Sequence, residues 1–152
     1  MRRTYVDHFE TWTPWFAWHP IFWDKGEALG MGALDLPWKP TVEEIYVIGK
    51  GFVGGRNWGS VIYHHPTQST AKNGRLHPNE KPVGLLGRLL RWLPAGSVCD
   101  PFMGSASTGE AALAAHRKFV GIEVEQKYFD VACRRIERIE RQAEMFSTGN
   151  VR

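Results

Sequence analysis

Residues 97–124 read SVCDPFMGSASTGEAALAAHRKFVGIEV, and this stretch decides the fold. Residues 97–100 form a short apolar run ending in a carboxylate, the pattern of a buried strand. Residues 101–107 are a turn that carries Gly104, Ser105 and Ser107. Residues 108–118 have the alanine content and basic end of a helix. Residues 119–124, FVGIEV, give the next strand. Strand, turn, helix and strand in that order make a βαβ unit with a parallel strand pair.

The pattern continues on both sides. From Gln126 to about Met145 the apolar positions Phe129, Ala132, Ile136, Ile139 and Ala143 form one stripe, so a long amphipathic helix follows. Its other face carries Arg134, Arg135, Arg138 and Arg141 among glutamates, which reads as solvated surface supported by pairs such as Glu137–Arg141. Upstream, Val83, Leu85, Leu86, Leu89, Leu90 and Trp92 recur at helical spacing between Pro82 and Pro94. Further upstream the order changes. PIFWDKG (20–26) reads as a strand closing in a turn at Gly26, VEEIYVIGK (42–50) as a second strand, and VIYHH (61–65) as a third. Residues 49–60, with five glycines, read as a loop, and residues 66–79 as irregular chain. Residues 1–152 are read as a single domain: aromatic strands and a basic loop over 1–76, a βαβα unit over 77–145, and a tail over 146–152.

Composition sets the outer limits. With 152 residues, 43% hydrophobic and 23% charged, the chain is globular rather than disordered, collagen-like or a disulfide scaffold. No apolar run reaches the ~20 residues that span a bilayer. Asp7 and Glu10 fall where a signal peptide needs an apolar core, and two cysteines, Cys99 and Cys133, make no disulfide framework. The cytoplasm is therefore the expected compartment. The net charge of +3 is spread over both halves, but residues 45–79 contain no acidic side chain. Lys50, Arg56, Lys72 and Arg75 lie there with Trp58 and three histidines. Such a stretch fits a surface for phosphates and, equally, a solvated glycine-rich loop.

Ligands of a βαβ unit sit outside the carboxyl ends of its strands. The first strand ends at Asp100, where Gly104 allows close backbone approach and the following helix turns its N–H groups to the same space. Glu123, 23 residues later at the end of the second strand, can accept both hydrogens of a ribose diol. The turn lacks G-x-G-x-x-G spacing, and no G-x-x-x-x-G-K-[ST] occurs. These features favour a nucleoside-containing ligand without a pyrophosphate.

HPNEKPVGLLGRLLR (77–91), VCDPFMGSASTGEAAL (98–113) and FVGIEVEQKYFDVACRRI (119–136) closely resemble the carboxyl-terminal part of amino-methylating DNA methyltransferases in the beta arrangement. PIFWDKG and EEIYVIGKGF resemble the strand pair that lies just upstream in those enzymes, so the likeness covers roughly residues 20–136. It implies an α/β, Rossmann-like methyltransferase fold, S-adenosylmethionine as cofactor, and methylation of adenine N6 or cytosine N4 in double-stranded DNA. Carried over by position, Asp100, Phe102, Gly104 and Ser105 line the cofactor pocket. Glu123 holds the ribose hydroxyls, and Lys81 and Pro82 border the methionine end. Lys50, Arg56, Trp58, Lys72 and Arg75 are the candidate DNA contacts. The chain departs from the family at Ala106, where glycine is usual, and alanine there adds strain if the position needs a positive φ.

A second departure concerns chemistry. The family grips the flipped base with an Asp/Ser/Asn-Pro-Pro-aromatic tetrapeptide, and no such sequence occurs here. The nearest strings, Thr13-Pro14-Trp15-Phe16 and Asp35-Leu36-Pro37-Trp38, lack the paired prolines, so the catalytic residues are unknown. The chain is short for the family, and the expected fold is incomplete: the strand at 97–100 lacks its usual neighbour. A truncated or split adenine methyltransferase, completed by a protein partner that supplies the motif, is the expectation. A catalytically silent cofactor- or DNA-binding subunit and an RNA methyltransferase are the alternatives. His64, His65 and His77 come without H-E-x-x-H or C-x-x-C, so no metal is expected, and Cys99 reads as a core residue.

Overall fold

The computed structural model describes residues 17–27, 37–49, 53, 58–67 and 76–148. Strands β1 (Ala17–Asp24), β2 (Val42–Gly49) and β3 (Val61–Tyr63) form one sheet in the order β2-β1-β3. β1 and β2 are antiparallel, with Ala17 opposite Gly49 and Asp24 opposite Val42. β3 runs parallel to β1. β1 ends in a turn, as its sequence predicts: Gly26 has φ 65° and its N–H donates to Asp24 Oδ1 at 2.8 Å.

The period of two in these strands sets the core. Ile21, Trp23 and Ile62 are buried on one face, with Ile45 and Val47 packed beside them. Helix α1 (Val83–Leu90) lays Leu85 and Leu89 across that face and turns Leu90 the other way, onto Ala111 and Ala112 of helix α2 (Ser107–Ala114). α1 is thus a wedge between the two halves. Its last carbonyls are satisfied from far along the chain: the Arg117 guanidinium donates to the carbonyls of Leu90, Leu93 and Pro94 at 2.8, 2.9 and 3.0 Å.

The βαβα unit is present. β4 (Val98–Asp100) and β5 (Phe119–Gly121) pair in parallel, with α2 between them and α3 (Gln126–Thr148) after. Val98 and Phe119 pack on the alanines of α2. α2 stops short of the sequence expectation at residue 118: the chain leaves the helix through His116 at φ 55°, which frees Arg117 to reach α1. β5 is likewise shorter than residues 119–124.

Two expectations are corrected. Cys99 is exposed rather than core, because the helices pack on one face of the β4–β5 pair only and Cys99 points to the other. Val120, Ile122 and Val124 share that bare face at 56%, 56% and 93% exposure. Arg135 is not solvated surface: it is buried, held by carboxylates from two other segments. Among the described residues, β3 and β4 belong to separate sheets. No described helix is long and apolar enough to cross a membrane.

Candidate functional site

A cavity of about 390 Å3 opens at the carboxyl ends of β4 and β5. Six of the seven candidate cofactor residues, Lys81, Asp100, Phe102, Gly104, Ser105 and Glu123, lie on its wall. The seventh, Pro82, is buried beside it as the residue that opens α1. Its ring fixes φ at −63° and leads the chain into the helix.

The turn after β4 is stitched by its own polar groups. Asp100 Oδ1 accepts the Phe102 N–H at 3.0 Å, and the Met103 N–H donates to the Ile122 carbonyl at 3.0 Å. Glu123 then takes one backbone N–H on each oxygen, from Gly104 to Oε2 and from Glu125 to Oε1, both at 2.9 Å. The Glu125 N–H does most to hold the Glu123 carboxyl below its ordinary 4.5; burial opposes this, and the N–H groups of Gly104 and Val124 and the His77 charge reinforce it. The ionised form is the one a ribose diol needs as acceptor.

Two observations favour glycine at position 104. Its φ of 53° suits glycine, and a Cβ there would meet the His77 ring at 3.3 Å. Ala106, where glycine is usual in the family it resembles, also has positive φ, at 58° with ψ 37°, and is fully buried. As the residue preceding α2 it offers no side-chain cap to the helix. Ser107 and Thr108 of the first turn line the cavity directly.

Sequence reasoning missed other parts of the wall. His77 packs edge-on against Tyr128, with ring centres 4.2 Å apart, and its Nδ1 accepts the Asn79 N–H at 3.2 Å. Glu80 accepts the Leu76 N–H at 2.6 Å and Arg135 Nη1 at 2.7 Å. Arg135 also donates through Nε to Glu110 and through Nη1 to the Ser105 carbonyl at 3.2 Å. One guanidinium on α3 therefore ties the HPNEKP element, the glycine turn and α2 together. Its spacing three residues from Ala132 and four from Ile139 put it beside the apolar stripe, which was the available signal.

Lys81 reaches across to the three-stranded sheet. Its Nζ donates to Glu43 Oε2 at 2.6 Å and sits 5.2 Å from the centre of the Trp23 ring. Burial pushes the Glu43 carboxyl up, and the hydrogen bonds and charges of Lys81 and Lys25 more than reverse this.

Lys50, Arg56, Lys72 and Arg75 lie outside the described residues. Trp58 is half exposed and rests on Trp92 with ring centres 5.5 Å apart. Among the described residues no group of three or more His, Cys, Asp or Glu could hold a metal ion.

A DNA methylase family model matches residues 49–134. The DNA adenine methyltransferase YhdJ of Escherichia coli (strain K12) is 43% identical over 63 residues, which is 40% of this chain and 21% of that protein. The M1.HpyAVI–SAM complex is similar in structure, with TM-score 0.62 and 27% identity over 85% of this chain and 66% of that one. The cytosine-N4-specific PvuII DNA methyltransferase shares the fold, with TM-score 0.63 at 18% identity, over 80% of this chain and 54% of that one. The match with YhdJ thus spans about a fifth of that relative, and this chain spans roughly half to two thirds of the solved ones.

Proposed function

This chain belongs to the DNA methylase family, and from that membership we propose that its cavity binds S-adenosylmethionine for methylation of adenine N6 in DNA. The fold is α/β and Rossmann-like, as in the methyltransferases it resembles. The observation that carries the reading is the convergence of Glu123, the Gly104 backbone and the exposed Phe102 ring on one cavity at the strand ends.

The residues present fit the cofactor. The volume of about 390 Å3 lies in the ~300–1,000 Å3 range of small-molecule sites. The Glu123 oxygens accept the Gly104 and Glu125 N–H groups, and a carboxylate with about four acceptor sites keeps capacity for a ribose hydroxyl. Asp100 is held in its own turn by the Phe102 N–H, and Lys81 supplies a cation for a carboxylate. When bound, the cofactor supplies an electrophilic methyl group on a sulfonium. The chain's residues bind and orient it. Lys50, Arg56, Trp58, Lys72 and Arg75 are the proposed DNA contacts. The YhdJ match, to a DNA adenine methyltransferase, supports adenine as the base.

Titration calorimetry with S-adenosylmethionine tests the site: wild type binds, and Glu123→Ala weakens binding on the order of tenfold. Unchanged affinity in that variant would refute the assignment. Digestion of DNA labelled with methyl-tritiated cofactor then separates N6-methyladenine from N4-methylcytosine.

A specific observation favours a partner. Parallel strands are ordinarily covered on both faces, yet Cys99, Val120, Ile122 and Val124 are bare, as are Val61 and Tyr63 of the other sheet. No Asp-Pro-Pro-aromatic tetrapeptide occurs in these 152 residues. We propose that a segment carrying that motif, from elsewhere in a longer chain or from a second polypeptide, packs on these bare residues and completes the enzyme. Label transfer by this chain alone at the rate seen with any added partner would reject the split form. Cofactor binding without transfer under every pairing would favour the silent subunit.

A further inference from the structure

We infer that Glu43, on β2, is a positioning residue for the amino-acid end of the cofactor site, acting through Lys81. The inference rests on the reading that the cavity takes S-adenosylmethionine. β2 contributes nothing to the cavity wall, and Glu43 lies 38 residues before Lys81 in sequence.

Lys81 lines the cavity with its side chain 45% exposed, and a four-carbon stem so exposed has many rotamers to lose before it can hold a ligand. Glu43 removes that freedom. Its Oε2 accepts from Lys81 Nζ at 2.6 Å and its Oε1 from Lys25 Nζ at 3.3 Å. The carboxylate is thereby fixed between two cations. Both ammonium groups also lie over the Trp23 indole, at 5.2 and 6.0 Å from its centre. That ring cannot yield: it is 3% exposed, and its Nε1–H donates to the His64 carbonyl at 2.7 Å.

The charge of the group decides what it recognises. Two ammonium groups against one carboxylate leave this trio net positive, and Lys81 is its one member on the cavity wall. The Lys81 ammonium has three N–H bonds and gives one to Glu43, so two remain for a ligand anion. The carboxylate of the cofactor's methionine moiety is the matching group, and a nucleoside without it gains nothing from this arrangement. Lys25 offsets the repulsion that Glu43 would otherwise exert on that carboxylate.

The test compares two ligands by titration calorimetry on the full chain: S-adenosylmethionine, and 5′-methylthioadenosine, which lacks the amino-acid moiety. Glu43→Gln is expected to weaken S-adenosylmethionine about three- to tenfold and to leave 5′-methylthioadenosine within about twofold of wild type. In a Lys81→Met background the same substitution is expected to have no further effect on either ligand. Equal losses for both ligands would show a merely structural role and overturn the inference, as would an unchanged or tightened S-adenosylmethionine affinity in Glu43→Gln. If wild type binds 5′-methylthioadenosine and S-adenosylmethionine but Glu43→Gln behaves like wild type, only this inference falls. If wild type binds neither, the cofactor reading falls and takes this one with it.

Discussion

Replacing Arg135 with methionine removes one guanidinium and strands two carboxylates. Arg135 is 8% exposed, Glu80 5% and Glu110 28% by side chain, so the change leaves Glu80 as an ionised group with little access to water. Breaking a buried pair by deleting one partner costs about 3–5 kcal/mol. Glu110 can recover hydration, and Glu80 keeps the Leu76 N–H on its other oxygen, so the lower end, about 3 kcal/mol, applies. The hydroxyls of Ser105 and Ser107 stand 3.4 Å from Nη1, at the limit of hydrogen bonding, and add little. Against a domain stability of about 5–15 kcal/mol this is a large fraction. At roughly 2–4 °C per kcal/mol for a chain of this size, Tm falls by about 6–12 °C. Urea denaturation measures the loss directly, as a shift in midpoint at constant slope. Arg135→Lys keeps a cation but not the planar fork, and falls between the two. The triple variant Arg135→Met, Glu80→Gln, Glu110→Gln removes the stranded charges and regains much of the loss. A single Arg135→Met variant within about 1 kcal/mol of wild type would refute the account of a buried, stability-bearing hub.

Other sites give separate outcomes. Gly109→Ala in α2 adds a Cβ that would sit 2.7 Å from the Phe119 ring and 2.8 Å from Ile136 Cδ1, so it destabilises by about 1–3 kcal/mol in thermal melts although alanine is the better helix former. At Ala106, glycine relieves about 1–2 kcal/mol of left-handed strain but gives back a similar amount in chain entropy and a buried methyl, so Ala106→Gly leaves Tm nearly unchanged. Ala106→Val adds a β-branched chain at the same φ in a fully buried place and lowers Tm clearly. For pH, Glu43 has its folded-state carboxyl held below the ordinary 4.5, so the stability it contributes is fully present above that value and is lost as pH falls through the depressed one. The difference in urea midpoint between wild type and Glu43→Gln therefore shrinks as pH falls from the ordinary 4.5 through the depressed value, and a difference that grows on acidification would contradict the pairing.

Much of the candidate site was legible in the sequence. The strand at 98–100, the turn at Gly104, the helix after it and the strand ending near Glu123 are local patterns, set by period, turn chemistry and chain order; Asp100, Gly104 and Glu123, which they nominate, line one cavity, as do Lys81, Phe102 and Ser105, which the family resemblance added. Burial was less readable. Cys99 has apolar neighbours in sequence and reads as core, yet it is exposed because burial depends on what packs across a strand. Arg135 sits in a run of arginines and reads as surface, yet Glu80 and Glu110 converge on it from 55 and 25 residues away.

The sequence by itself determined the order of elements, the parallel βαβ pair and the identity of the groups at the strand ends, because these follow from residue type and spacing along one segment. Tertiary structure alone decided which charges meet: Glu43 with Lys81, Arg117 with the end of α1, and Arg135 with Glu80. The physical reason is range. Propensity, periodicity and turn geometry act over a few residues, whereas a long charged side chain takes its partner from whatever backbone the packing of distant elements brings within about 3 Å.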